Sequence, residues 1–156
     1  MDLGLRGRKA VITGSSKGLG QAIAETLASE GVDVHLVARD AKALERIATD
    51  LAKRHGVEAA FSALDLSDSN NVDSLFAQLS GPIDILVNNA GAIPGGSIDL
   101  IDETRWREAW DLKVFGYINM CRRAYARMQQ DGGGVIVNVI GAAGERTTPG
   151  YVAGAG

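Results

Sequence analysis

Three glycines near the N-terminus have the spacing of a loop that binds a diphosphate. Gly14, Gly18 and Gly20 lie between a predicted strand over 9–13 and a predicted amphipathic helix over 18–29. Glycine tolerates positive φ and lets the backbone approach a ligand closely, and a helix N-terminus offers free N–H groups to phosphate. In this context the glycines predict a pyrophosphate-binding loop, and a tight turn without a ligand is the alternative. The expected contact residues are Gly14, Ser15, Ser16, Lys17, Gly18, Leu19 and Gly20.

The end of the second predicted strand favours a phosphorylated ribose. Dinucleotide-binding folds usually place an Asp or Glu there to hold the adenosine ribose hydroxyls. Here Ala38 occupies that position and Arg39 follows it. The missing carboxylate leaves room for a 2′-phosphate, which a guanidinium binds well, and Lys17 adds a second cation nearby. The pattern predicts NADP(H) in preference to NAD(H); the alternative is that both cations are ordinary solvated charges.

Short β-branched runs alternate with longer helical stretches along the chain. We predict strands over 9–13, 32–38, 57–63, 83–88 and 135–139, and helices over 18–29, 40–56, 67–79 and 103–128. This alternation predicts parallel βαβ units with helices on both faces, an α/β fold of the doubly wound Rossmann type. Continuous apolar runs such as 135–137 are expected to be buried on both faces. Because we find no repeat or interdomain linker, residues 1–156 are expected to form a single domain.

Composition excludes several classes of partner. The net charge of -3 gives no basic surface for nucleic acid or for an anionic membrane, and no apolar run is long enough for a membrane span. Cys121 is the only cysteine, which fits a reducing compartment. No His, Asp or Glu cluster has the spacing of a metal site. We therefore expect a cytoplasmic protein with no metal ion.

Four motifs in chain order resemble the short-chain dehydrogenase/reductase family. The first is the glycine loop, and the second is Asp65-Leu66, which looks like the family's aspartate that reaches the adenine. The third is Asn88-Asn89-Ala90-Gly91, similar to the family's cofactor-flanking motif. The fourth is the run 134–138 followed by Pro149-Gly150-Tyr151. The resemblance implies hydride transfer between a nicotinamide and a small alcohol or carbonyl, and it adds Asp65, Leu66, Asn89, Ala90 and Gly91 to the expected cofactor contacts.

The positions where the family carries its catalytic residues are atypical. The resemblance places a serine at Gly141, a tyrosine at Gly154 and an asparagine at Lys113, and it would place a lysine at position 158. Glycine supplies neither a hydrogen-bond donor nor an acid. The usual chemistry is a general acid with hydrogen-bond stabilisation of a developing alkoxide. Any such chemistry in this chain requires other side chains.

Two residues are candidates to replace the missing groups. Lys113, near the nicotinamide, would act as a base or polarise a carbonyl if its pKa is depressed. The alternative is a lysine that extends to solvent or pairs with Asp111 or Glu145. Tyr151 precedes Gly154 by about one helical turn and is a candidate displaced acid; the alternative is a packing tyrosine.

Two functions follow as hypotheses from these residues. The first is an NADP(H)-preferring oxidoreductase acting on an unidentified alcohol or carbonyl. The second is a catalytically silent NADP(H)-binding module or subunit, suggested by Gly141 and Gly154. A mononucleotide site is disfavoured because Gln21, and not lysine, follows the last loop glycine.

The resemblance also implies a longer sheet than this chain supplies. The five strands can take the order 3-2-1-4-5, which leaves the edge beyond the fifth strand bare, so we expect a domain truncated before the last strands. The helix over 103–128 carries Trp106, Trp110 and Tyr125. In this family that helix commonly contacts a second subunit, and a homo-oligomer through it is expected; the alternative is that these side chains face their own sheet.

Overall fold

Strands and helices alternate in the computed structural model, which describes residues 3–154. The elements, in chain order, are β1 (Lys9–Thr13), α1 (Gly18–Ser29), β2 (Asp33–Ala38), α2 (Ala41–His55), β3 (Ala59–Ala63), α3 (Ser69–Gln78), β4 (Ile85–Asn88), α4 (Glu103–Trp110), a π-helical turn (Asp111–Gly116), α5 (Tyr117–Asp131), β5 (Val135–Asn138) and two 3₁₀ turns (Ala142–Gly144 and Val152–Gly154).

The five strands form one sheet in the order β3-β2-β1-β4-β5, and every neighbouring pair is parallel. Val11 of the central strand lies beside His35 of β2 and Leu86 of β4. The predicted doubly wound α/β fold and its strand order are therefore confirmed. Because the strands are parallel, their carboxyl ends meet at one edge, where ligands bind in open sheets of this kind.

Both faces of the sheet centre are covered by helices. On one face α1 and α2 bury Ile12, Leu36 and Leu44. On the other, α3 and α5 bury Val11, Leu75 and Met120. Adjacent residues of β1 thus enter opposite cores, as expected for a strand buried on both sides.

Local signals in the sequence set the helix ends. The Asp40 side chain accepts a hydrogen bond from the Ala43 N–H and caps α2, and Gly56, with φ of 67°, ends it in the left-handed conformation. Both ends agree with the prediction. The second strand begins at Asp33, later than predicted, because the Val32 N–H is bound to the Leu27 carbonyl at the end of α1.

The predicted single helix over 103–128 is interrupted. Its central part is the π-helical turn Asp111–Gly116, and the helix continues to Asp131, where Gly132 with φ of 93° ends it. The apolar periodicity that predicted one regular helix does not reveal the extra residue per turn. A π-helical turn inside a longer helix is frequently found at a functional site.

The expectation that the run 135–137 is buried on both faces was wrong. Ile136 packs against the α3–α5 core, whereas Val135 and Val137 are 57% and 45% exposed. Within residues 3–154 no helix covers their side of β5, and they border a shallow apolar depression shared with Ile23 and Leu27 of α1.

Candidate cofactor-binding site

A groove of about 580 Å³ follows the carboxyl ends of the strands. It is lined by the last two residues of β2, by residues that follow the ends of β1, β2, β3 and β4, and by one residue of the π-helical turn. The lining residues are Gly14, Ser16, Lys17, Gly18, Val37, Ala38, Arg39, Asp40, Leu64, Asp65, Leu66, Asn89, Ala90, Gly91, Ala92 and Leu112. Most of the predicted cofactor contacts therefore lie together in one groove.

Three of the predicted contact residues do not line this groove. Ser15 is buried, and its Oγ accepts a hydrogen bond from the Val37 N–H at 3.0 Å, which fastens the loop to β2. Leu19 is 57% exposed. Gly20 is packed so tightly against the Gly14 carbonyl that an added Cβ would overlap it. Ser15 and Gly20 thus hold the conformation of the loop through contacts on the side away from the groove.

The start of α1 is open toward the groove. Gly14 and Gly18 have φ of 67° and 57°, and a Cβ on Gly18 would have no neighbour within 4 Å. No side chain caps α1, whereas aspartates cap α2, α3 and α4. Its first N–H groups can therefore bind an anion, which is a fit to the pyrophosphate of a dinucleotide.

Thr13 joins this loop to the segment after β4, a role that the sequence did not reveal. Its Oγ1 accepts hydrogen bonds from the N–H groups of Asn89 and Ala90 at 2.9 and 3.0 Å. The Asn89 side chain in turn donates to the carbonyls of Thr13 and Gly14. A hydroxyl at the end of the central strand was the available signal, but its partners lie more than 70 residues away.

Arg39 and Asp65 lie at the β2–β3 end of the groove. Their charged groups are 3.9 Å apart in a solvent-exposed pair, which is a weak interaction. Hydrogen bonds from the Ser67 hydroxyl and N–H lower the pKa of Asp65, and the Arg39 charge acts in the same direction. With Ala38 before it, the Arg39 guanidinium is free to bind a phosphate in place of this distant carboxylate.

Lys113 lies at the opposite end of the groove, beside β5. Its Nζ donates to Tyr117 Oη at 2.6 Å and to the Val139 carbonyl at 2.7 Å. Its aliphatic chain crosses Gly91, where an added Cβ would lie 2.8 Å from Lys113 Cδ. Burial lowers the pKa of Lys113. Within residues 3–154 it forms no ion pair, so the alternative of a pair with Asp111 or Glu145 is not observed.

Tyr151 packs against Gly154, the position where the family carries its tyrosine. A Cβ on Gly154 would overlap the Tyr151 ring, so the ring occupies the space of a side chain at 154. Hydrogen bonds between Gly96 and both Gly150 and Val152 hold this segment in place. Gly141, by contrast, has room for a side chain, since its nearest neighbour would be the Ala143 nitrogen at 3.9 Å. Among the described residues no hydrogen bond joins Tyr151 to Lys113.

Comparison with known proteins places these features in a family. The sequence profile described as short chain dehydrogenase matches residues 8–155. The chain belongs to this family. The 2,3-dihydro-2,3-dihydroxybenzoate dehydrogenase of Bacillus subtilis (strain 168) is 34% identical over 139 residues, which are 87% of this chain and 53% of that protein.

Solved short-chain dehydrogenases share the fold closely. L-sorbose reductase from Gluconobacter frateurii, in complex with NADPH and L-sorbose, superposes with a TM-score of 0.95 at 34% identity, covering 99% of this chain and 60% of that one. A 3-oxoacyl (acyl-carrier-protein) reductase from Agrobacterium tumefaciens with NADP bound gives 0.89 at 29% identity, covering 97% and 59%. This short-chain dehydrogenase thus spans between half and two thirds of the length of these relatives.

Residues 3–154 of the short-chain dehydrogenase contain neither a membrane-spanning helix nor a cluster of metal-ligating side chains. None of the helices there is both long and apolar enough to cross a membrane. No group of three or more His, Cys, Asp or Glu side chains in the same range is arranged to hold a metal ion.

Proposed function

We propose that residues 1–156 form a single NADP(H)-binding domain of an oxidoreductase that interconverts a small alcohol and its carbonyl compound. The observation that carries the proposal is the groove in which an uncapped α1 N-terminus and Arg39 are aligned. Relatives named as dehydrogenases and reductases, some of them solved with NADPH or NADP, support the same class of reaction.

The preference for NADP(H) rests on the β2 end of the groove. Ala38 supplies no carboxylate that would repel a 2′-phosphate, and Arg39 and Lys17 supply two cations. The test is a calorimetric titration of the chain with NADPH and, separately, with NADH. Micromolar NADPH binding with much weaker NADH binding supports the proposal, and equal affinities would remove the preference.

Lys113 and Tyr151 are the proposed catalytic residues. NADPH held in the groove would supply the hydride for reduction of a carbonyl carbon. The Tyr151 phenol then gives its proton to the substrate oxygen and regains one from water, while Lys113 stabilises the negative charge on that oxygen. The position of Lys113 across Gly91 and the overlap of Tyr151 with the side-chain space at 154 support these roles.

Two substitutions test the catalytic roles against matched controls. Lys113→Ala should abolish turnover of a panel of carbonyl compounds, whereas Lys53→Ala, on the exposed far end of α2, should not. Gly154→Ala should displace the Tyr151 ring and reduce turnover, whereas Gly144→Ala meets no atom within 4 Å. Turnover unchanged in Lys113→Ala and Gly154→Ala would contradict both assignments.

A catalytically silent NADP(H)-binding module is the second candidate. Gly141 and Gly154, which lack a donor and an acid, are the observation in its favour. The names of the relatives favour the enzyme instead. NADPH binding without turnover of any carbonyl or alcohol would support the silent module, and measurable turnover would end it.

The long helix is proposed as a contact surface between two copies of the chain. Trp106, Trp110 and Phe115 line one surface depression, whose other lining residues are charged, and Phe115 and Ile118 are 53% and 45% exposed. Trp110 also donates its indole N–H to the Ala153 carbonyl, so part of the aromatic cluster serves its own chain.

A further inference from the structure

We propose that Tyr117 and the Val139 carbonyl hold Lys113 as a fixed ammonium that donates a hydrogen bond to the substrate oxygen, so that Lys113 is not a base. Tyr117 is then a positioning residue that acts through Lys113. This inference rests on the proposed function, because it names how one of its two catalytic side chains is oriented.

Two oxygen atoms and one aromatic face surround Lys113 Nζ. Tyr117 Oη lies 2.6 Å from Lys113 Nζ and 3.0 Å from the Val139 oxygen, which itself lies 2.7 Å from Nζ. A phenol has one O–H, which Tyr117 donates in a hydrogen bond to the Val139 carbonyl. The Tyr117 oxygen therefore accepts the hydrogen bond from Lys113. Nζ therefore donates twice, and an ammonium retains a third N–H for a ligand.

The distances favour the charged form of the lysine. Separations of 2.6 and 2.7 Å are shorter than those of neutral N–H···O bonds, which centre near 2.9 to 3.0 Å. Nζ also lies 4.4 Å from the centroid of the Tyr117 ring, within the range of a cation–π interaction. Both contacts oppose the effect of burial, which disfavours the charge.

Lys113 lies at the end of the groove opposite Arg39. The Lys113 chain lies across Gly91, and Gly91 and Leu112 both line the groove. Arg39 and Asp65 occupy the other end, beyond β2 and β3. A dinucleotide with its adenosine at Arg39 therefore extends toward Lys113 with its reactive half.

Few titratable groups face Lys113. Tyr117 is on its own helix, and burial, followed by the charge of Cys121, raises the pKa of Tyr117 to about 12. The neighbouring parts of β5 and of the segment after β4 contribute Val139 and Gly91, which do not titrate. Within residues 3–154 no carboxylate lies within 4 Å of the ammonium. Tyr117 therefore keeps its proton over any ordinary assay range.

The test compares three variants with two controls. Tyr117→Phe removes only the hydroxyl, and Lys113→Arg keeps a cation that cannot act as a base, whereas Lys113→Met removes the charge. Tyr125→Phe, on an exposed tyrosine of the same helix, and Lys53→Arg are the controls. The measurements are NADPH binding by calorimetry, kcat and KM for a carbonyl substrate, and NMR titration of ε-¹³C-labelled lysine.

The expected result separates this inference from the proposed function. Tyr117→Phe should lower kcat about tenfold with NADPH affinity unchanged, and Lys113→Arg should retain far more activity than Lys113→Met. In the NMR titration, the Lys113 signal, identified by its loss in Lys113→Arg, should shift in Tyr117→Phe and not in Tyr125→Phe.

Other outcomes overturn one idea or the other. An arginine variant as inactive as the methionine variant would make Lys113 a base. A Lys113 signal unaffected by Tyr117→Phe would remove the positioning role, whether or not the protein turns over a substrate. Failure of wild-type protein to bind NADPH would instead contradict the proposed function.

Discussion

At the scale of single residues, one guanidinium carries the expected discrimination between the two nicotinamide dinucleotides. Arg39 is exposed, and its only ion pair in the described chain is the 3.9 Å contact with Asp65. We expect Arg39→Ala to weaken NADPH binding about tenfold or more, since hydrogen bonds to charged groups contribute about 1.5 to 3 kcal/mol. NADH binding should be unaffected. Calorimetry checks this, with Lys53→Ala as a control that removes one positive charge far from the groove.

A glycine in the phosphate loop gives a second prediction at this scale. A Cβ on Gly20 would overlap the Gly14 carbonyl and the Asn89 side chain. We expect Gly20→Ala to lower the free energy of unfolding by about 1 to 3 kcal/mol and to abolish NADPH binding, because the loop must move. Urea denaturation and calorimetry measure the two effects. Gly144→Ala, which meets no atom within 4 Å, should have neither, and equal behaviour of the two variants would contradict the close packing.

At the scale of elements, a histidine between two strands links stability to pH. His35 of β2 lies half-buried, with Nε2 2.8 Å from Ser62 Oγ of β3, and burial lowers its pKa below the ordinary value. The unfolded chain therefore binds this proton more readily than the folded one. The stabilising contribution is complete above about pH 6.5, the usual histidine value, and is lost as the pH falls toward the folded pKa.

Denaturation across a pH series checks this sign. The free energy of unfolding of the wild type should fall more steeply between pH 7 and pH 5 than that of His35→Gln. Effects of carboxylates such as Glu25, whose pKa the hydrogen bond from His55 lowers, cancel in the difference. Parallel curves for the two proteins would show that His35 does not contribute.

The elements also mark the limit of prediction from sequence. The alternation of strands and helices, the Asp40 cap and the Gly56 terminus were predictable from local residue types, and the strand order followed from the resemblance to the family. The π-helical turn was not, since the apolar residues keep helical spacing on either side of it. The Lys113–Tyr117–Val139 contact was missed because Val139 approaches only after the fifth strand has paired.

At the scale of the whole molecule, the exposed apolar face of the long helix predicts self-association. Phe115→Arg should weaken a dimer at least tenfold, because it buries a charge at the proposed contact. Sedimentation equilibrium measures the dissociation constant. Gln129→Arg adds the same charge on an exposed polar position of α5 and should leave association unchanged. A monomeric wild-type chain would contradict the proposed surface.

The open side of β5 is the other feature at this scale. Val135 and Val137 are exposed beside Ile23 and Leu27, so an apolar depression crosses the sheet between α1 and the edge strand. Uncovered edges and apolar faces of this kind promote aggregation. Solubility measurements on the chain therefore need to consider this surface as well as the aromatic face of the helix.

The π-helical turn Asp111–Gly116 has a consequence for evolution and design. One additional residue in a helix rotates everything after it by about 100° relative to everything before it. Deleting Val114 would change the spacing of Lys113 and Tyr117 from i,i+4 to i,i+3, which leaves them on one face of the helix but alters the distance between Nζ and Oη. Homologues that differ here by a single insertion or deletion would therefore keep the same residue types while changing the contact geometry of their side chains.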